Sequence, residues 1–111
     1  MRHLTLMFLA ASLTTSLAAT TPALATTGKG CLRVVNVAAG DALNVRAEPS
    51  ARARIVDRLI PGQHGVISLD AECTPTSRPW AQRWCPISHS SGDGTTHGYV
   101  KARFIRDAEC P

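Results

Sequence analysis

Four cysteines and two short polar clusters are the parts of this 111-residue chain that could do chemistry. A cysteine thiolate beside a histidine could attack an acyl carbon, but only the free thiolate is a nucleophile. Cys31, Cys73, Cys85 and Cys110 form an even set behind an N-terminal export signal, so they are expected as two disulfides, for which three pairings are open. Ser88, His89 and Asp93 have the residue types of a hydrolytic triad. Such a triad is defined by geometry, and the Ser/Gly-rich run 88–97 is a poor scaffold, so a solvated loop is expected. His89, Asp93 and His97 suit zinc by type but lack the short-spaced ligand pairs of a structural site, so surface histidines and no metal or other cofactor are expected. With no convincing catalytic constellation, the chain is expected not to be an enzyme.

Binding is the other chemistry these residues could support. Aromatics are few, and Trp80, Trp84 and Tyr99 stand out among them. On one strand Trp80 and Trp84 share a face; Trp84 is expected in the core and Trp80 partly exposed. Arg46, Arg52, Arg54 and Arg58 crowd one stretch, as a solvated edge or as an electropositive lip able to grip carboxylates. The expected contact surface is Trp80 and Tyr99 with Arg46, Arg52 and Arg54.

The chain opens with Met1, Arg2, His3 and an apolar run from Leu4 to Ala19, followed by Pro22, Ala23, Leu24 and Ala25. This is the pattern of a secretory signal with cleavage after Ala25. A membrane anchor is the rival, but Thr5, Ser12, Thr14, Thr15 and Ser16 interrupt the run, which falls short of the ~20 residues of a span. Lipidation at Cys31 is disfavoured by Lys29 in the preceding Gly28–Lys29–Gly30, and no arginine pair opens the chain. The expected organisation is a signal at 1–25, a flexible lead at 26–30 and one domain at 31–110, periplasmic or secreted and not inserted in a membrane after cleavage. Without Arg2, eleven Lys and Arg face eight Asp and Glu. That mild excess permits attraction to acidic wall or lipid surfaces but lacks the basic stripe of a nucleic-acid binder.

The elements that must position these residues read as short strands. Cys31–Val37 is apolar and β-branched, Ala38–Asp41 turns, and Leu43–Arg46 alternates. A helix over Ala51–Leu59 is the alternative for the Ala/Arg stretch, but Pro61 and Gly62 follow too soon, so a long arm into a short strand is expected. Gly65–Leu69, Trp80–Ile87 and Gly98–Val100 with Phe104 and Ile105 complete the series. Asp70–Pro79 and Ser88–His97 read as inserted loops. A small all-β barrel of five strands is expected, with no internal repeat.

Leu43, Asn44, Val45 and Arg46 with Pro49 and Ser50 resemble the LNVRxxPS signature of the bacterial SH3 domain (SH3b-like) family of exported proteins. Ile55, Val56, Leu59 and Gly62 follow in place. Trp84 with Ile87 is similar to that family's WxxV strand, Gly98–Tyr99–Val100 to its GWV, and Ala102–Arg103–Phe104–Ile105 to its closing AxYL. The resemblance runs from about Leu32 to Arg106. It implies an SH3-like barrel whose chain ends lie together, pairing Cys31 with Cys110 and Cys73 with Cys85. It further implies a non-catalytic module recognising cell-wall peptidoglycan or its stem peptides. The alternative is a periplasmic adaptor that binds another exported protein through its inserted loops. Tyr99 stands where the family has Trp, and loop 88–97 is longer than the family's tight hairpin. The acidic and aromatic motif that grips proline-rich peptides is absent, so PxxP recognition is not implied.

Overall fold

The structure is a computed structural model that describes residue 12 and residues 30–111; the expected signal, its cleavage point and nearly all of the lead lie outside the described residues. Seven strands form the domain: β1 Cys31–Val34, β2 Leu43–Arg46, β3 Ile55–Leu59, β4 Val66–Leu69, β5 Trp84–Ser90, β6 Thr95–Lys101 and β7 Ile105–Ala108. They make one sheet in the order β3-β2-β6-β5-β4-β1-β7, with every pairing antiparallel. Two 3₁₀ turns, Trp80–Gln82 and Ala102–Phe104, are its helical elements, and no helix among the described residues is long and apolar enough to cross a membrane.

The strand count is therefore seven rather than the expected five, and the terminal strands β3 and β7 are not paired with each other. The stretch from Leu43 to Leu59 makes two strands, β2 and β3, and the expected closing strand splits into β6 and β7 around the 3₁₀ turn Ala102–Phe104. Residues 88–97 are not an inserted loop: β5 and β6 run on through them, pairing from Trp84↔Lys101 to Ser90↔Thr95 before a turn through Gly92 and Gly94. Polar residues on the outer face of a half-buried strand look like loop residues when read one by one. The final strand β7 pairs over its full length with β1. In the opposite direction, Trp80 leaves the expected fourth strand. It sits in a 3₁₀ turn, so the argument that it shares a strand face with Trp84 does not apply.

Alternation sets the core. Leu43 and Val45 of β2, Ile67 and Leu69 of β4, and Cys85 and Ile87 of β5 are buried, with their polar neighbours outward. Gly98 of β6 lies where β2 crosses close by: a Cβ there would stand 2.5 Å from Val45 Cγ1 and 2.7 Å from the Arg46 carbonyl oxygen. Only a hydrogen fits that approach. Disulfides join Cys31 to Cys110 across 79 positions and Cys73 to Cys85 across 12. The first ties the start of β1 to the residues after β7; the second ties loop 70–79 to β5.

Replacing Cys73 and Cys85 together by Ser is expected to cost about 3 kcal/mol by the loop-entropy estimate, read as a lower urea midpoint. Gly98→Ala is expected to cost about 1–3 kcal/mol through overpacking against Val45. An unchanged midpoint in Gly98→Ala would show that β2 can move aside.

Candidate functional site

A groove of about 490 Å³ opens where the β1–β2 loop faces the start of β5 and the end of β6. The register β5 to β6 creates its central contact. Trp84 is directly opposite Lys101, and the Lys101 ammonium lies 4.9 Å from the centre of the indole. A cation over an indole face is held there by the ring quadrupole. Beside it, the Arg103 guanidinium lies 5.9 Å from the ring centre of Phe104. Arg46 of β2 adds a third cation, while Asp41 is the sole carboxylate among the lining residues. The groove thus pairs two aromatic surfaces with three positive charges and one negative one.

Each wall is fixed by identifiable contacts. Asn36 adopts φ 59°, a left-handed conformation that Asn tolerates better than most residues, and its amide donates to the Arg103 carbonyl at 2.8 Å. The Val35 N–H donates to the Phe104 carbonyl at 2.8 Å. These bonds hold the β1–β2 loop against the 3₁₀ turn that carries Arg103 and Phe104. Arg46 donates to the Ala53 carbonyl at 3.1 Å, which anchors the β2–β3 loop. Behind Trp84, two backbone bonds to Thr74, at 2.7 and 2.9 Å, and the Cys73–Cys85 disulfide fix the strand's first residues. Arg83 spans the same loop, donating to the carbonyls of Arg78 and Thr76 at 2.8 and 3.0 Å.

The residues expected to bind are only partly brought together. Arg46 lines the groove, and Tyr99 is its cross-strand partner, half-buried just beyond the rim. Trp80 is not at the groove but packs against the core. Arg52 and Arg54 are exposed on the β2–β3 loop and Arg58 on β3, all outside the lining. Trp84, expected in the core, is half-buried and lines the groove instead. The physical reason is parity: with Cys85 and Ile87 inward, Trp84 must point outward. Lys101 and Phe104 were missed as site residues, although Val100 inward would have placed Lys101 outward by the same alternation.

The polar clusters also rearrange. Ser88 does not meet Asp93; its hydroxyl donates to Asp70, 2.6 and 2.7 Å from the two carboxylate oxygens, and its Oγ lies 2.9 Å from His97 Nδ1. With the hydroxyl proton directed at a carboxylate, the imidazole can only donate to Ser88, the reverse of what activates a serine nucleophile. His89 is not a surface histidine. It is 7% exposed, its Nδ1 lies 2.6 Å from Asp57 Oδ2, and its buried Nε2 has no partner. The bond links β5 to the edge strand β3 across the core. Among the described residues no three His, Cys, Asp or Glu side chains converge as metal ligands.

No family model, no curated protein and no solved structure matches this chain.

Asp57→Ala removes the one hydrogen-bond partner of a buried imidazole, and leaving such a group unsatisfied costs about 1–3 kcal/mol. Equilibrium urea unfolding is expected to show that loss, whereas Asp93→Ala, in the exposed β5–β6 turn, is expected to leave the midpoint within about 0.5 kcal/mol of the parent.

Proposed function

We propose that the chain is an exported, non-catalytic SH3-like binding module that recognises peptidoglycan through carboxylate-bearing stem peptides, using the groove at Trp84. The observation that carries this reading is the aromatic floor of Trp84 under Lys101 and of Phe104 under Arg103, with Arg46 lining the same groove. A peptide carboxylate would meet charge-assisted donors there, and a guanidinium can engage both oxygens at once. The aliphatic part of the peptide would cover the indole, and Asn36 and Asn44 offer amides to its backbone. Asp41 at the loop side gives the groove a polarity, so a ligand bearing an ammonium as well as a carboxylate has one preferred direction.

Several features support a binding role. All four cysteines are in disulfides, leaving no thiolate for acyl transfer. The disulfides and the sequence of the first 25 residues favour an oxidising compartment, the periplasm or the exterior. The family resemblance supplies the wall as the ligand class. Of the two loops the protein-adaptor reading would use, residues 88–97 are largely occupied in strand pairing and 70–79 is an exposed loop, so that reading keeps only one of its two surfaces.

The test is cosedimentation of the oxidised exported protein with purified sacculi at low salt. Trp84→Ala is expected to weaken retention about tenfold or more, the scale of an interface hot spot. Lys101→Ala with Arg103→Ala is expected to weaken it and to flatten its salt dependence. Arg54→Ala, outside the groove, is expected to bind as the parent does. Parent-like retention of Trp84→Ala would remove the groove from the reading, and absence of retention at low salt would remove the wall, leaving an exported protein partner to be sought.

A further inference from the structure

A second concentration of positive charge lies on the β1–β7 pair at the edge of the sheet. Arg33 of β1 stands directly opposite Arg106 of β7 in antiparallel register, and both are exposed. Residues paired in this way share a face at about 5 Å between Cβ atoms, where like charges repel and destabilise the pair. Among the described residues neither arginine lies within ion-pair distance of a carboxylate; the close cation–carboxylate contacts are the histidine pairs His89–Asp57 and His97–Asp70. Arg106 satisfies one guanidinium N–H on its own strand, Nη1 donating to the Ile105 carbonyl at 2.9 Å. Its remaining donors, and those of Arg33, face outward.

On the opposite flank of Arg33 is a pocket of about 630 Å³, lined by Arg33, Val34, Gly62, Gln63, His64 and Gly65. It shares no residue with the groove at Trp84. The β3–β4 turn forms its wall. Gly62 has φ 76°, a conformation side chains resist, and the Gln63 N–H closes the turn on the Ile60 carbonyl at 2.9 Å. His64 Nδ1 lies 3.0 Å from the Gly65 carbonyl, to which it must donate, so the ring orientation at the rim is set.

We propose that this corner is an anion site that takes a phosphate group, held by Arg33 and Arg106 beside the β3–β4 turn. Two exposed arginines at paired positions of neighbouring strands carry more N–H donors than one carboxylate has lone pairs to accept. A phosphate presents more acceptor oxygens and up to two charges, which matches adjacent guanidiniums. A like-charged cross-strand pair is a local loss of stability, and such losses are retained where binding needs them. The phosphate belongs either to a small soluble ligand or to a lipid headgroup, since both present the same oxyanion.

The test uses inorganic phosphate titrated into the isotope-labelled full exported protein, followed by backbone amide shifts. Saturable shifts are expected in residues 62–65 and at Arg33. Arg33→Gln and Arg106→Gln are each expected to weaken the midpoint about tenfold, the loss of one good charged contact, while Arg78→Gln, which removes the same charge elsewhere, leaves it unchanged. Without phosphate the Arg33 and Arg106 variants are expected to melt at a higher temperature than the parent, because the repulsion is gone. At a given phosphate concentration Tm is expected to rise more in the parent and in Arg78→Gln than in the Arg33 and Arg106 variants. A second arm compares vesicles of phosphatidylglycerol with neutral phosphatidylcholine vesicles. Arg33-dependent retention on the anionic vesicles identifies a headgroup; saturable phosphate binding without it identifies a soluble phosphate. Phosphate shifts that do not saturate, or that persist equally in Arg33→Gln, together with no Arg33-dependent vesicle retention, overturn the proposal. Failure of the sacculus experiment would leave it untouched, because the two sites share no residue.

Discussion

The continuous register between β5 and β6 is the constraint on which the rest of the molecule depends. Seven consecutive pairs from Trp84↔Lys101 to Ser90↔Thr95 fix the face of every side chain in both strands. One parity sends Cys85, Ile87 and His89 inward and places Val100 with them; the other brings Trp84, Lys101 and Tyr99 to the outer face. A one-residue slip would exchange the two sets, burying a lysine and exposing an isoleucine. The hydrophobic core and the groove are thus two sides of a single hydrogen-bond ladder. Gly98 extends that constraint to a third strand, because β2 can lie against β6 only where no Cβ intervenes.

Around this hairpin the arginines act as fasteners as much as charges. Arg46, Arg83 and Arg103 each direct N–H groups at backbone carbonyls, of Ala53, of Arg78 and Thr76, and of Ala81. Loop carbonyls have no strand partner, and a guanidinium fork satisfies them without itself being fully desolvated. The positive charge remains available at the surface. In a domain with a small core, two disulfides and these side-chain bonds supply order that apolar burial alone would leave marginal. Arg46 and Arg103 are held by backbone carbonyls and Lys101 by the Trp84 ring rather than by carboxylates.

The same organisation separates the residues that looked functional from those that line the groove. Trp80 was conspicuous as an aromatic, yet its 3₁₀ turn packs beside the turn carrying Arg103 and Phe104, and so it supports the groove from behind. Arg52 and Arg54 were conspicuous as a cluster, yet although Ala51 of the same loop lines the groove, both arginines lie outside it. His89 shows the converse. A polar residue between Ser88 and Ser90 reads as loop, and its burial follows only from its position on the inward parity of β5, opposite Asp57 on a strand 32 positions earlier.

By itself the sequence determined what depends on local pattern. Alternation at Leu43–Arg46, the aliphatic pair at Ile67 and Leu69, the Gly and Pro turns, and an even cysteine count behind an apolar leader specify an all-β, disulfide-bearing domain, because period and turn chemistry act over a few residues. Only the tertiary structure decided the number of strands and that Trp84 rather than Trp80 faces the groove with Lys101. Those outcomes depend on register between segments far apart in the chain. Register is set by the combined burial of the whole sheet, a quantity no local stretch of residues contains.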